Sequence, residues 1–154
     1  MEVFRLQRGK FGERLSGAGA ALMGARWNSP GKELIYTSAN RSLAMAEVAV
    51  HFTYATLPSG FFMLTIFIPD DCSISIVKES ELPPNWNSHP PVLTTRKTGD
   101  EFVRSNKHCL LRIPSAVVKG DFNILINPAH PEFHKIKVIN KEEFPFDQRL
   151  FRTR

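Results

Sequence analysis

The stretch GARWNSPGKELIYTS, residues 24–38, sets Arg26 ahead of a Ser-Pro-Gly turn and a strand-like Leu-Ile-Tyr-Thr run. A guanidinium is a planar fork that grips phosphate oxygens in pairs and keeps its charge in any site. Gly17, Gly19, Gly24 and Gly31 surround it, and glycine permits close backbone approach by an anion. Local spacing by itself favours a plainer role, a structural arginine paired with Glu33. Tyr36 also has two readings. Its ring could stack on a ligand while the hydroxyl bonds it, or it is one more strand aromatic in a core, which is the default.

Glu47 is the sole carboxylate of the run RSLAMAEVAVHF. At helical spacing it shares a face with Leu43, Val50 and Tyr54, and that face should be buried. A buried carboxylate is costly unless it is paired, hydrogen-bonded or open to a cleft, which makes Glu47 a candidate site residue. The alternatives are an interior arginine partner or a place on the exposed edge of the helix. Ser115, in RIPSAVV, lacks the G-x-S-x-G elbow of a nucleophile, so a hydrogen-bonding role suits it better.

Other chemistries find less support. His130 and His134 in HPEFH would need a helix to share a metal, and Pro128 and Pro131 oppose one, so no metal is expected. A Ser-His-acid hydrolase has no marked nucleophile. Neither G-x-G-x-x-G nor G-x-x-x-x-G-K-[ST] occurs, which removes the two common nucleotide-phosphate motifs.

The elements that must position these residues are legible from pattern. EVFRLQR alternates as a strand. The glycines of residues 17–31 oppose regular structure there, and a loop should feed a strand near ARWN. ELIYTS is a strand, followed by a helix over residues 41–55 with Ser38 or Asn40 as its cap. Strands are predicted at 61–69 and 72–78. Four prolines then make ESELPPNWNSHPPVLTT a surface excursion. GDEFVRSN reads as a short helix capped by Thr98 or Asp100, CLLRIPSAVV and FNILIN as strands, and KIKVINKEEFPF as a strand and turn. Without regular β-α-β alternation or internal repeats, the order favours a compact α+β fold.

At 154 residues the chain should form one domain, 1–154, with 42% hydrophobic residues, 23% charged and twelve Phe for a core. The net charge of +5 favours an anionic partner, but the basic residues are dispersed except in the tail RLFRTR. A solvated surface is the plainer reading, and direct nucleic-acid binding is not expected. Cys72 and Cys109 lack C-x-x-C spacing and read as buried small hydrophobes in a reducing compartment. With no signal-like or membrane-length apolar run, the expected location is the cytoplasm, with no membrane partner.

Together, VFRL, the SGAGA loop, GARWNSPGKELIYTSANRSLAMAEVAVH, IPSAVV and NILINPAHPEF resemble the RES domain, the toxin half of bacterial toxin–antitoxin pairs. The family's Arg, strand Tyr, helix Glu and Ser fall on Arg26, Tyr36, Glu47 and Ser115, and Arg5, Asn28 and Asn127 to His130 also match family positions. The resemblance implies a fold like that of the ADP-ribosyltransferase toxins such as diphtheria toxin. It implies NAD as a consumed substrate, with no bound cofactor. Family members cleave the nicotinamide–ribose bond by hydrolysis or phosphorolysis, the latter with inorganic phosphate as co-substrate, or transfer ADP-ribose to a protein. Arg26 would hold the pyrophosphate, Tyr36 would pack on nicotinamide or its ribose, Ser115 would hydrogen-bond near the same ring, and Arg5 and Asn28 would join the NAD site. Glu47 would stabilise the oxocarbenium-like centre or orient the attacking group. The implied partner is an Xre-like helix-turn-helix antitoxin, with a homodimer plausible. The rival reading from another class is a regulatory or nucleic-acid-binding module that has lost catalysis.

Overall fold

The computed structural model describes residues 1–9, 14–56 and 59–151, apart from the Tyr54 side chain. Seven strands form one sheet: β1 Glu2–Arg8, β2 Ile35–Ser38, β3 Phe61–Phe67, β4 Ile74–Ile76, β5 Leu110–Pro114, β6 Phe122–Ile126 and β7 Lys137–Glu143. Their order is β4-β5-β6-β2-β1-β3-β7, antiparallel throughout except for β4 against β5. Three helices accompany them, α1 Ala18–Met23, α2 Arg41–Ala49 and α3 Leu93–Ser105. Helices and an antiparallel sheet that do not alternate make this an α+β fold, as the order of elements predicts.

Register sorts the side chains into two faces, since paired residues on neighbouring strands share a face and sequence neighbours alternate. Ile35 pairs with Ile126, which pairs with Leu110, and these belong to a core with Val3, Leu64, Ile66 and Cys109. Tyr36, Leu125 and Leu111 pair on the opposite face. There Trp27, Trp86 and Phe102 of α3 pack over them. Farther along that face, Phe4, Leu6 and Met63 meet Ala44 of α2. Each such side chain removed from water contributes roughly 1.5–3 kcal/mol before entropy is counted.

Several elements depart from the pattern reading. The glycine-rich segment contains α1, a single exposed turn and a half between Gly17 and Gly24. The segment ARWN is no strand but a tight turn, in which Ala25 N donates to Asn28 O at 2.9 Å. Helix α2 ends at Ala49 rather than residue 55, so Val50 is 59% exposed and does not share a buried face with Glu47. Asn40 is its cap, accepting from Leu43 N at 2.8 Å. Helix α3 begins at Leu93, directly after the second Pro-Pro, and neither Thr98 nor Asp100 caps it. Strand β4 is only three residues long. Both cysteines are buried and free. Among the described residues no helix is long and apolar enough to cross a membrane.

Candidate functional site

Between the two helical packings on one face of the sheet lies a polar seam that gathers Glu47, Ser115, Asn123, Ser38, Tyr36 and Arg26. It is assembled from α2, the ends of β2 and β5, β6, and the turn before β2.

Glu47 sits on the last turn of α2, half-buried, because Asn40 starts the helix beside β2 and Leu43 and Ala44 seat it on the sheet. Two donors converge on one carboxylate oxygen, Oε1. Ser115 Oγ donates at 2.8 Å and Asn123 Nδ2 at 2.6 Å. No described donor reaches Oε2, which leaves one oxygen anchored and the other free to act.

Ser115 follows directly on β5, and its Oγ accepts from Val117 N at 3.1 Å and Val118 N at 3.0 Å. A hydroxyl has one proton and two lone pairs, so these two bonds aim the proton at Glu47. Ser115 therefore fixes the carboxylate, and with its proton committed there it is no free nucleophile.

Arg26 projects from the Ala25–Asn28 turn. Its Nη1 donates to the carbonyls of Trp86 at 2.8 Å and Ser88 at 2.9 Å, both in the proline-rich excursion. Nε and Nη2 find no acceptor among the described residues. Burial lowers its pKa, opposed by the nearby Glu47 and Tyr36, and a guanidinium remains charged there. The Glu33 pairing does not form: Glu33 accepts from Gly17 N at 2.9 Å and Ser16 Oγ instead. A cavity of about 500 Å³ lined by Leu15, Glu33, Phe133 and Ile136 shares no residue with the Glu47 cluster.

The turn that carries Arg26 is held by an interior hub. Tyr36 Oη donates to Asn28 Oδ1 at 2.7 Å and accepts from Trp27 N at 3.1 Å. Asn28, fully buried, spends its Nδ2 on the carbonyls of Ala20 and Lys32, both at 2.9 Å. Its amide is thus fully used within the protein, and Asn28 shapes the loop where the resemblance suggested a ligand contact. Burial pushes the Tyr36 pKa far up, so its hydroxyl keeps its proton throughout the physiological range. Helix α3 braces the same turn from outside. Asp100 accepts from Ser29 N at 2.9 Å and Ser29 Oγ at 2.6 Å, and Arg96 Nε donates to Ala25 O at 3.0 Å.

Arg5 makes no described bond to this cluster. Its register with Leu64 puts it on the sheet face of Val3 and Leu64, opposite the face of Ser38 and Asn123, where β1 and β2, joined by the single pair Phe4–Ser38, part. Its Nη1 is buried with no partner among the described residues, and burial lowers its pKa. An orphaned buried guanidinium nitrogen is rare enough to need an explanation, and an anionic ligand supplies one. Asn127 is structural: fully buried, it donates to Asn106 Oδ1 at 2.8 Å and accepts from Ala129 N. His130 caps a 3-10 turn over Pro131–Lys135 and His134 lies within it, and each Nδ1 meets a backbone atom.

Pattern reading missed Asn123, Ser38, Asp100 and the carbonyls of Trp86 and Ser88. A signal existed for Asn123: an amide inside the apolar strand FNILI must be hydrogen-bonded to be tolerated. None existed for the carbonyls, which carry no side-chain identity.

The comparisons with known proteins agree with one another. The family model for the RES domain matches residues 2–147. A protein of Photorhabdus laumondii named Toxin Res is 35% identical over 156 residues, covering all of this chain and 99% of its own. A Sphingobium protein named Prs ADP-ribosylating toxin is 34% identical over 140 residues, 90% of this chain and 87% of its own. A solved structure, the M. tuberculosis MbcT–MbcA toxin–antitoxin complex, shares the fold with a TM-score of 0.74 at 16% identity, covering 97% of this chain and 86% of that one. With a family model spanning nearly its whole length and full-length relatives of the same kind, the chain belongs to the RES domain family.

Proposed function

We propose that the protein is the toxin of a toxin–antitoxin pair and that it cleaves the bond between nicotinamide and ribose in NAD. The observation that carries this reading is the Glu47 carboxylate, anchored through Oε1 by Ser115 and Asn123 and bare at Oε2, with the free edge of Arg26 nearby. In this chemistry the C1′–N bond breaks with its electron pair moving to the pyridinium nitrogen, so nicotinamide leaves neutral. The ribose becomes oxocarbenium-like, and a fixed negative oxygen stabilises it electrostatically. Arg26 binds the pyrophosphate with Nε and Nη2. Tyr36 contributes its ring face, since its hydroxyl is engaged within the loop. On this reading the fold is of the ADP-ribosyltransferase type, the place of action is the cytoplasm, and an antitoxin covers the cleft, in keeping with a structural relative solved as a toxin–antitoxin complex.

The acceptor that attacks C1′ is water or phosphate in this reading. A second reading, transfer of ADP-ribose to a protein, is favoured by the relative named for ADP-ribosylation. Incubating the antitoxin-free protein with NAD labelled in its adenylate half separates them. Soluble ADP-ribose indicates hydrolysis, and ADP-ribose 1-phosphate formed only when phosphate is present indicates phosphorolysis. Label on a protein band indicates transfer. Intact NAD with folded protein would sink both readings and favour a non-catalytic module, whose mark would be salt-sensitive nucleic-acid binding.

A further inference from the structure

We propose that Asn123, oriented by Ser38, is the positioning residue that aims Glu47; the inference rests on the reading of Glu47 as the group facing the reacting ribose. Asn123 and Ser38 are cross-strand partners on β6 and β2. A carboxylate only accepts hydrogen bonds, so the amide edge meeting Glu47 Oε1 at 2.6 Å is Nδ2. Oδ1 then faces Ser38, whose Oγ donates to it at 2.7 Å. The Ser38 hydroxyl thereby sets which way the amide points, and the amide together with Ser115 sets which Glu47 oxygen is held. Both residues are buried, Ser38 4% exposed and Asn123 8% exposed. An apolar side chain would satisfy β6 at this position without desolvating an amide, so packing alone does not call for Asn. The charged groups disposed about α2 are Arg26, which couples to Glu47; Asp121, which accepts from Asn40; and Glu142, paired with Arg41. None of them grips Oε1, which leaves that task to Asn123 and Ser115.

The test measures NAD consumption from pH 5 to 9 for the full chain and for Asn123→Ala, Asn123→Asp and Ser38→Ala, beside a carbon-13 NMR titration of the Glu47 carboxyl. Asn123→Ala lowers kcat about 10- to 100-fold, as loss of an orienting partner does elsewhere, while KM for NAD changes little. Asn123→Asp is the sharper variant. At low pH the introduced carboxyl is protonated and donates to Oε1 as the amide did. As pH rises the pair loses that proton, like charges oppose, and kcat falls along a limb that the natural protein lacks. The Glu47 titration moves upward in the same variant. An unshifted Glu47 titration with a wild-type pH profile, or an effect on KM alone, would overturn the assignment. If the Asn123 variants do not fold, Ser38→Ala carries the test: a several-fold loss of kcat at constant KM supports it, and wild-type kcat overturns it. Should the natural protein leave NAD intact while Asn123→Asp still raises the Glu47 titration, the proposed reaction fails and the positioning role stands.

Discussion

At the scale of single residues, the site turns on an asymmetry within one carboxylate. Two neutral donors hold Glu47 Oε1 without a bidentate cation to neutralise it, so Oε2 keeps charge to offer to a developing cation. Glu47→Gln is nearly isosteric yet has no such charge. It should reduce NAD cleavage by about 10²–10³-fold while binding NAD with little change, checked by product release and by calorimetric titration. Tyr36→Phe tests the other half of the seam. Deleting the hydroxyl leaves Asn28 Oδ1 buried and unsatisfied and frees Trp27 N, at a cost of about 1–3 kcal/mol in denaturant unfolding. A Tyr36 that served only to stack a ligand would show no such loss.

At the scale of elements, two pieces of chain distant in sequence hold Arg26 in place. The loop carrying Trp86 and Ser88 closes over its guanidinium, and α3 lies against its turn so tightly that a Cβ at Gly99 would overlap the Trp27 carbonyl oxygen. Gly99→Ala should therefore destabilise the protein by about 3 kcal/mol through forced separation of α3 from the turn, read from a thermal or denaturant melt. It should weaken NAD turnover even where the fold survives. A separate fastening joins the 3-10 turn at Pro131–Lys135 to the start of β4. Ser73 Oγ and N hydrogen-bond Glu132, chiefly the hydroxyl, and hold its carboxyl down at about 2. A folded pKa below the unfolded value of about 4.3 gives stability that is complete above the unfolded pKa and lost as pH falls towards the folded one. Glu132→Gln should accordingly melt earlier than the natural protein at neutral pH, and the two melting curves should converge as the pH approaches 2.

At the scale of the whole molecule, one sheet packs on both faces, and its apolar core encloses two free thiols. Burial pushes Cys109 up to about 12 and raises Cys72 as well. Thiolates are the reactive form, so both should alkylate at a rate set by opening of the fold, and a destabilising change such as Gly99→Ala should raise the logarithm of the labelling rate in proportion to the stability lost. How far this molecule was legible beforehand follows from the range of the forces involved. Alternation in EVFRLQR, the apolar run in FNILIN, the Asn40 cap and the Ala-rich run after it act within a few residues, so β1, β6 and α2 could be read directly. The start of α3 and the end of α2 could not, because packing of the 84–92 excursion and of the sheet overrides local propensity. The residue set Arg26, Tyr36, Glu47 and Ser115, within motifs spread along the chain, is a property of the sequence alone, and those motifs carry the resemblance to the RES family that the family model bears out. What only the tertiary structure decided is who holds whom: Ser115 and Asn123 on one oxygen of Glu47, Tyr36 on Asn28, Trp86 and Ser88 on Arg26. Apart from Tyr36 on Asn28, those bonds join segments far apart in the chain, and strand register and loop packing bring their atoms within about 3 Å, a distance no spacing in the sequence encodes.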